Sequence, residues 1–126
     1  MRIDLNADIG EGFALDKELM ELVTSVNVAC GSHAGSPELS IVTAEEARRR
    51  GLRVAAHPGY PDREHFGRMS LAADPATWLL KQLRLFPHSA VKPHGAFYDD
   101  LLSGCWPNVQ FEVPVIGVAG RSSRTL

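Results

Sequence analysis

Acids, imidazoles and an amine recur in this sequence beside glycines, each time just after a short apolar run. Asn6, Asp8 and Glu11 follow the first run, and His33 the second. His57 and Asp62 follow the third, and Lys92 and His94 close the fourth. Carboxylates and imidazoles move protons or ligate divalent ions, and a lysine holds an anion. Gly10, Gly12, Gly31, Gly35, Gly59 and Gly95 flank these groups, where a chain must turn sharply or approach a ligand closely. Three of the five histidines, His33, His57 and His94, belong to these segments. His65 and His88 lie in polar or proline-flanked positions and read as surface. Cys30 to Pro37 leads into a helix start, whose free N–H groups suit an anion.

The elements that must position these groups alternate between strand and helix, the pattern of βαβ units. Met1 to Asn6 alternates and reads as a first strand. Asp16 is expected to cap a short helix whose Leu19, Met20 and Val23 share one face. Ser25 to Ala29 reads as the second strand. Ser36-Pro37 is a strong helix start, and Gly51 is a natural stop. Leu52 to Ala56 reads as the third strand, followed by a long loop from His57 to about Ala73. Asp74-Pro75 repeats the start signal for a helix carrying Trp78, Leu79, Leu83 and Phe86, which Pro87 stops. Ala90 to Lys92 reads as the fourth strand. A short helix over Tyr98 to Leu102 and a fifth strand over Val113 to Val118 follow. Five strands joined by crossovers make a parallel sheet, with functional groups beyond the carboxyl ends of its strands.

Composition narrows the function. The 126 residues amount to one domain, here 1–120, with 121–126 read as a disordered tail. A formal net charge of −2 gives no reason to expect nucleic acid or an anionic membrane as partner. Cys30 and Cys105 lie far apart and form no zinc or redox motif, so reduced thiols in the cytoplasm are expected. No apolar run reaches the length of a signal peptide core or a membrane span. No GxxxxGK[ST] motif is present, so any nucleotide must be held by other loops or by a partner.

Four segments carry a resemblance: IDLNADIGEGF at 3–13, VNVACGSHAG at 26–35, AHPGYPD at 56–62 with Phe66-Gly67-Arg68, and VKPHGAFY at 91–98. In order and approximate spacing they resemble the LamB/YcsF family. The resemblance implies a distorted seven-stranded β/α barrel of the glycoside hydrolase/deacetylase type. It also implies the A subunit of a prokaryotic 5-oxoprolinase, which opens the lactam of 5-oxo-L-proline to L-glutamate with ATP and with B and C subunits. Barrels of this kind run to roughly 200–250 residues or more, so this chain is expected to hold only about the first five strands. Ser32 stands where the family usually has an aromatic, and Ser36 where it has an acid. The connections Leu85 to Ala90 and Tyr98 to Val113 look shortened.

Within the matching segments, Asp8, Glu11, His33 and Lys92 are the expected catalytic residues. Asp8 and Glu11 either bind a metal or act as acid and base; His33 is a general base or anion contact. Lys92, its backbone extended before Pro93, would hold the substrate carboxylate or a phosphorylated intermediate. Asn6, Asn27, Arg68 and Tyr98 are the expected substrate contacts. Asp8, His57 and His94 match an Asp-His-His set that binds a divalent ion in related barrel hydrolases. The plainer alternatives are an Asp8 that caps its turn, histidines that orient loops, and a Lys92 that snorkels from a strand end. Two other readings stand beside the lactam hydrolase. One is a truncated chain that binds without turnover; the other is a metal-dependent deacetylase-like hydrolase.

Overall fold

The computed structural model describes residues 1–118. The predicted tail at 121–126 lies outside them. Four parallel strands form one sheet in sequence order: β1 (Asn6–Ile9), β2 (Ser25–Ala29), β3 (Arg53–His57) and β4 (Ala90–Val91). The crossovers carry α1 (Asp16–Leu22), α2 (Pro37–Arg49) and α3 (Leu79–Leu83), and α4 (Gly95–Leu102) follows β4. This is the parallel α/β class that the alternation predicts. Among the described residues, no helix is long and apolar enough to cross a membrane.

The register divides the sheet into two unlike faces. Asp8 pairs with Asn27 and Ala55 lies next in line, while Val28 pairs with Ile9 and Ala56. Side chains alternate across a strand, so Ile9, Val26, Val28, Val54, Ala56 and Val91 fall on one side. There they form a core with Met20 of α1, Ala44 and Ala47 of α2, and Phe86. The small alanines let α2 lie close on the sheet. Asn6, Asp8, Asn27 and His57 fall on the opposite side. A second cluster, built on Tyr60, Trp78, Leu79, Phe97 and Leu101, supports the loops beyond β3 and β4.

Several elements match their sequence signals. β2 occupies its predicted span, and the Ser36 hydroxyl caps α2 by accepting from Leu39 N–H at 3.0 Å. β3 runs one residue later than expected, so His57 belongs to the strand. α4 begins at Gly95 rather than Tyr98.

Four expectations are corrected. The first strand is Asn6–Ile9, not Met1–Asn6. β2 begins only at Ser25, which pairs with Asn6, so Met1 to Leu5 have no strand beside them and lie exposed. Asp16 does not cap α1; Leu15 holds that position, and the Asp16 carboxylate accepts from Gly10 N–H at 2.9 Å. The helix expected through Phe86 is split. Asp74 caps only a 3₁₀ turn, Pro75–Thr77, and Trp78 leaves helical geometry as its indole donates to the Ala73 carbonyl at 3.0 Å. The fifth strand shrinks to one parallel bridge, Val91 to Val115. Val91 N–H donates to the Pro114 carbonyl, and its carbonyl accepts from Ile116 N–H. β4 is too short to pair further, because Pro93 has no N–H to continue it.

Candidate functional site

The polar face of the sheet carries the chemistry. Asn27, fully buried on β2, donates through Nδ2 to Asn6 Oδ1 at 2.8 Å and to Asp8 Oδ1 at 3.0 Å. Lys92, just past β4, donates to the same Asp8 oxygen at 2.7 Å. The other Asp8 oxygen lies 3.6 Å from Nε2 of His57. Burial works to raise the Asp8 carboxyl, but His57, Lys92 and Asn27 outweigh it and hold it below its ordinary value. His57 is neutral near pH 7, being pushed down to about 4. At that pH Lys92 is therefore the cation that keeps Asp8 ionised.

Beyond the strand ends lies a second group. His33, on the loop after β2, is buried, and its Nε2 meets Oε2 of Glu11 at 2.7 Å. Its ring stacks on that of His94 at 3.7 Å, and His57 stands edge-on to both. One ligand atom from each of Glu11, His33, His57 and His94 falls within a cluster no wider than 4.8 Å.

Backbone contacts fix how two of these rings present their nitrogens. Nδ1–H of His57 donates to the Lys92 carbonyl at 2.6 Å, and Nε2–H of His94 donates to the Phe66 carbonyl at 2.7 Å. Each neutral ring has one N–H, so the remaining nitrogens, His57 Nε2 and His94 Nδ1, are bare. They face each other at 3.0 Å. Burial, and for His94 also the neighbouring His33, disfavours protonating either ring. Two opposed lone pairs beside buried carboxylate and imidazole groups fit a divalent cation better than they fit each other. Nδ1 of His33 is likewise buried with no hydrogen-bond partner.

The scaffold is tight where it holds these groups. Gly35, with φ +69, lies so close to Gly10 that a Cβ would stand 2.3 Å from the Gly10 carbonyl oxygen. The Ser40 hydroxyl of α2 donates to the carbonyl of Ala29 at the end of β2. Arg63 donates to the carbonyl of Gly35 at 2.7 Å, tying the long loop to the His33 loop.

The structure thus gathers Asn6, Asp8, Asn27 and Lys92, with Glu11, His33, His57 and His94 beside them. Asn6, Asp8 and His57 stand on strands rather than past their ends, because β1 and β3 run later than predicted, while Asn27 stands on β2 within its predicted span. Asp8 borders the four-residue cluster through His57 rather than belonging to it. Arg68 is exposed, its guanidinium over the Phe66 ring at 5.1 Å. Tyr98 is buried, and its hydroxyl accepts from Val118 N–H at 2.9 Å, so the structure does not place it with the others. Two residues escape a reading by residue type. Gln82, buried on α3, clamps Gly59 through both N–H and carbonyl, at 3.1 and 2.8 Å. Phe66 supplies the carbonyl that orients His94.

These segments are the ones a family model covers. The LamB/YcsF family model matches residues 3–104. The chain belongs to the LamB/YcsF family. A solved structure, the crystal structure of the lactam utilization protein from Thermus thermophilus, is similar with a TM-score of 0.72 and 32% sequence identity. The match covers 96% of this chain and 60% of that one, so this chain spans well under the full length of that neighbour. The four-stranded parallel sheet corresponds to part of the β/α barrel-like fold of this neighbour.

Proposed function

We propose that this LamB/YcsF chain acts as the A subunit of an ATP-dependent 5-oxoprolinase, hydrolysing the lactam of 5-oxo-L-proline to L-glutamate with B and C subunits in the cytoplasm. The observation that carries the reading is the single polar face where an acid–imidazole pair, Glu11–His33, lies beside the bare nitrogens of His57 and His94 and the Asp8–Lys92 pair. The likeness to a lactam utilization protein supports the substrate class.

A five-membered lactam is a stable amide bearing a carboxylate. Opening it requires a held anion, a polarised carbonyl and a base for water. Lys92 is the cation that holds the carboxylate, exchanging part of its contact with Asp8. His33, backed by Glu11, takes a proton from the attacking water and returns one to the ring nitrogen as the C–N bond breaks. Asn27, itself held by Asn6, fixes Asp8, and the two amides orient the lactam ring. A divalent ion held between His57 and His94 would supply Lewis-acid polarisation of the carbonyl, leaving Glu11 and His33 as the proton-transfer pair. ATP offers another activation, phosphorylation of the amide oxygen, and its site belongs to the assembled complex.

The experiment combines this chain with B and C subunits, 5-oxoproline and ATP, and measures glutamate. No glutamate from a verified complete complex rejects the proposal. The histidine cluster favours one second reading, a metal-dependent deacetylase-like hydrolase. Glutamate formation, or hydrolysis of other amides, without ATP would select it. Stable binding of 5-oxoproline without turnover would select the binding chain.

A further inference from the structure

Among the described residues, Phe66 is the one residue other than glycine with a positive φ, at 54°. A bulky side chain is disfavoured there, and such strain gathers where function fixes the backbone. The turn around it is closely held. Gly67 N–H donates to the Asp62 carbonyl at 2.9 Å, and the Gly67 carbonyl accepts from Ala96 N–H at 3.1 Å. A Cβ on Gly67 would stand 2.9 Å from the Cβ of His33 and 3.0 Å from Cδ2 of His94. The Phe66 ring packs edge-on against His33 and His94, at 5.2 and 5.0 Å.

We propose that Phe66 is a positioning residue whose left-handed backbone aims its carbonyl at Nε2–H of His94 and thereby leaves Nδ1 of His94 bare toward His57. The proposal rests on the reading of His57 and His94 as a ligand pair, and it deepens that reading. In an extended conformation the same carbonyl would turn away. Nε2 would then lose its acceptor, and the proton could move to Nδ1, closing the face that meets His57.

The test compares three variants. Asn and Gly enter the left-handed region readily, whereas β-branched Val does so least. A backbone role therefore ranks Phe66→Asn and Phe66→Gly above Phe66→Val, the reverse of the order that apolar packing alone would give. Nitrogen NMR of the His94 ring in metal-free protein reads the tautomer, and cobalt(II) titration reads affinity. Expected is an Nε2–H tautomer retained in the Asn and Gly variants, with affinity within about threefold of the parent. The Val variant should lose that tautomer and bind roughly 10–100-fold more weakly. Loss of the tautomer in both the Asn and Gly variants overturns the proposal, as does an unchanged Val variant. Should the Val variant fail to fold, the other two still decide. The tautomer is read without substrate, so failure here is separable from failure to form glutamate.

Discussion

Nδ1 of His94 stands 3.0 Å from Nε2 of His57, and both atoms are lone pairs because each ring spends its N–H on a backbone carbonyl. A cation between them would remove the repulsion. The protein is therefore expected to bind cobalt(II) or zinc, and His57→Ala and His94→Ala should each weaken binding at least ~100-fold, as loss of a direct ligand outweighs loss of its support. Isothermal titration checks this. Two variants that bind as tightly as the parent would remove both residues from the ligand set.

Acid should destabilise the metal-free protein in a defined window. Burial lowers His57 most, Asp8 opposes, and His94 adds to the lowering, taking it from 6.5 to about 4. Between these values the unfolded chain binds a proton that the native chain refuses, so stability is full above the upper value and falls as pH drops toward the lower one. His94 is shifted in the same direction. Asp8 is held low, so its stabilising share is lost only at more acid pH. Urea unfolding should show a loss of about 2 kcal/mol from pH 7 to pH 5. His57→Gln should flatten that slope; an unchanged slope would assign the loss elsewhere.

How far the sequence reaches depends on whether the signal is local. Ser36-Pro37 and the run Ser25 to Ala29 define α2 and β2 because a hydroxyl cap and an apolar run act within a few residues. β1 is set by its partner: alternation at Met1 to Asn6 is real, but β2 begins at Ser25, opposite Asn6, and offers Met1 to Leu5 no residues to pair with. The fifth strand fails for a related reason, since Pro93 limits β4. The chemical groups were legible as types near strand ends, and eight of the named residues, Asn6, Asp8, Glu11, Asn27, His33, His57, Lys92 and His94, meet in space. Their pairing was not. Glu11 with His33 and Asp8 with Lys92 depend on register and loop path, and the role of Phe66 depends on a backbone angle that its residue type argues against.

Gly35 and Gly12 offer a controlled comparison. Both have positive φ, but a Cβ at Gly35 meets the Gly10 carbonyl oxygen at 2.3 Å, while one at Gly12 meets nothing within 4 Å. Gly12→Ala should cost only the conformational penalty, about 1–2 kcal/mol. Gly35→Ala must also push β1 and the His33 loop apart and should cost roughly 2 kcal/mol more. Chemical denaturation of the two variants measures the difference. Equal losses would show that the close approach at Gly35 is relieved without strain.

Lys92 and Asp8 give the last test, which separates an electrostatic role from a packing one. Burial raises the Asp8 carboxyl, and Lys92 opposes it through both charge and a 2.7 Å hydrogen bond. Removing the ammonium in Lys92→Met leaves Asn27 as the remaining hydrogen-bond donor to Asp8, with His57 neutral near pH 7. The Asp8 carboxyl should then titrate at higher pH than in the parent, whereas Lys92→Arg, which keeps a cation within reach, should shift it less. Carbon NMR of the Asp8 carboxyl follows the titration directly. If the proposed substrate contact is also correct, Lys92→Met should raise KM for 5-oxoproline in the assembled complex more than it lowers kcat, because a held carboxylate contributes to ground state and transition state alike. A fall in kcat with unchanged KM would move Lys92 from anchoring the substrate to the reacting centre itself.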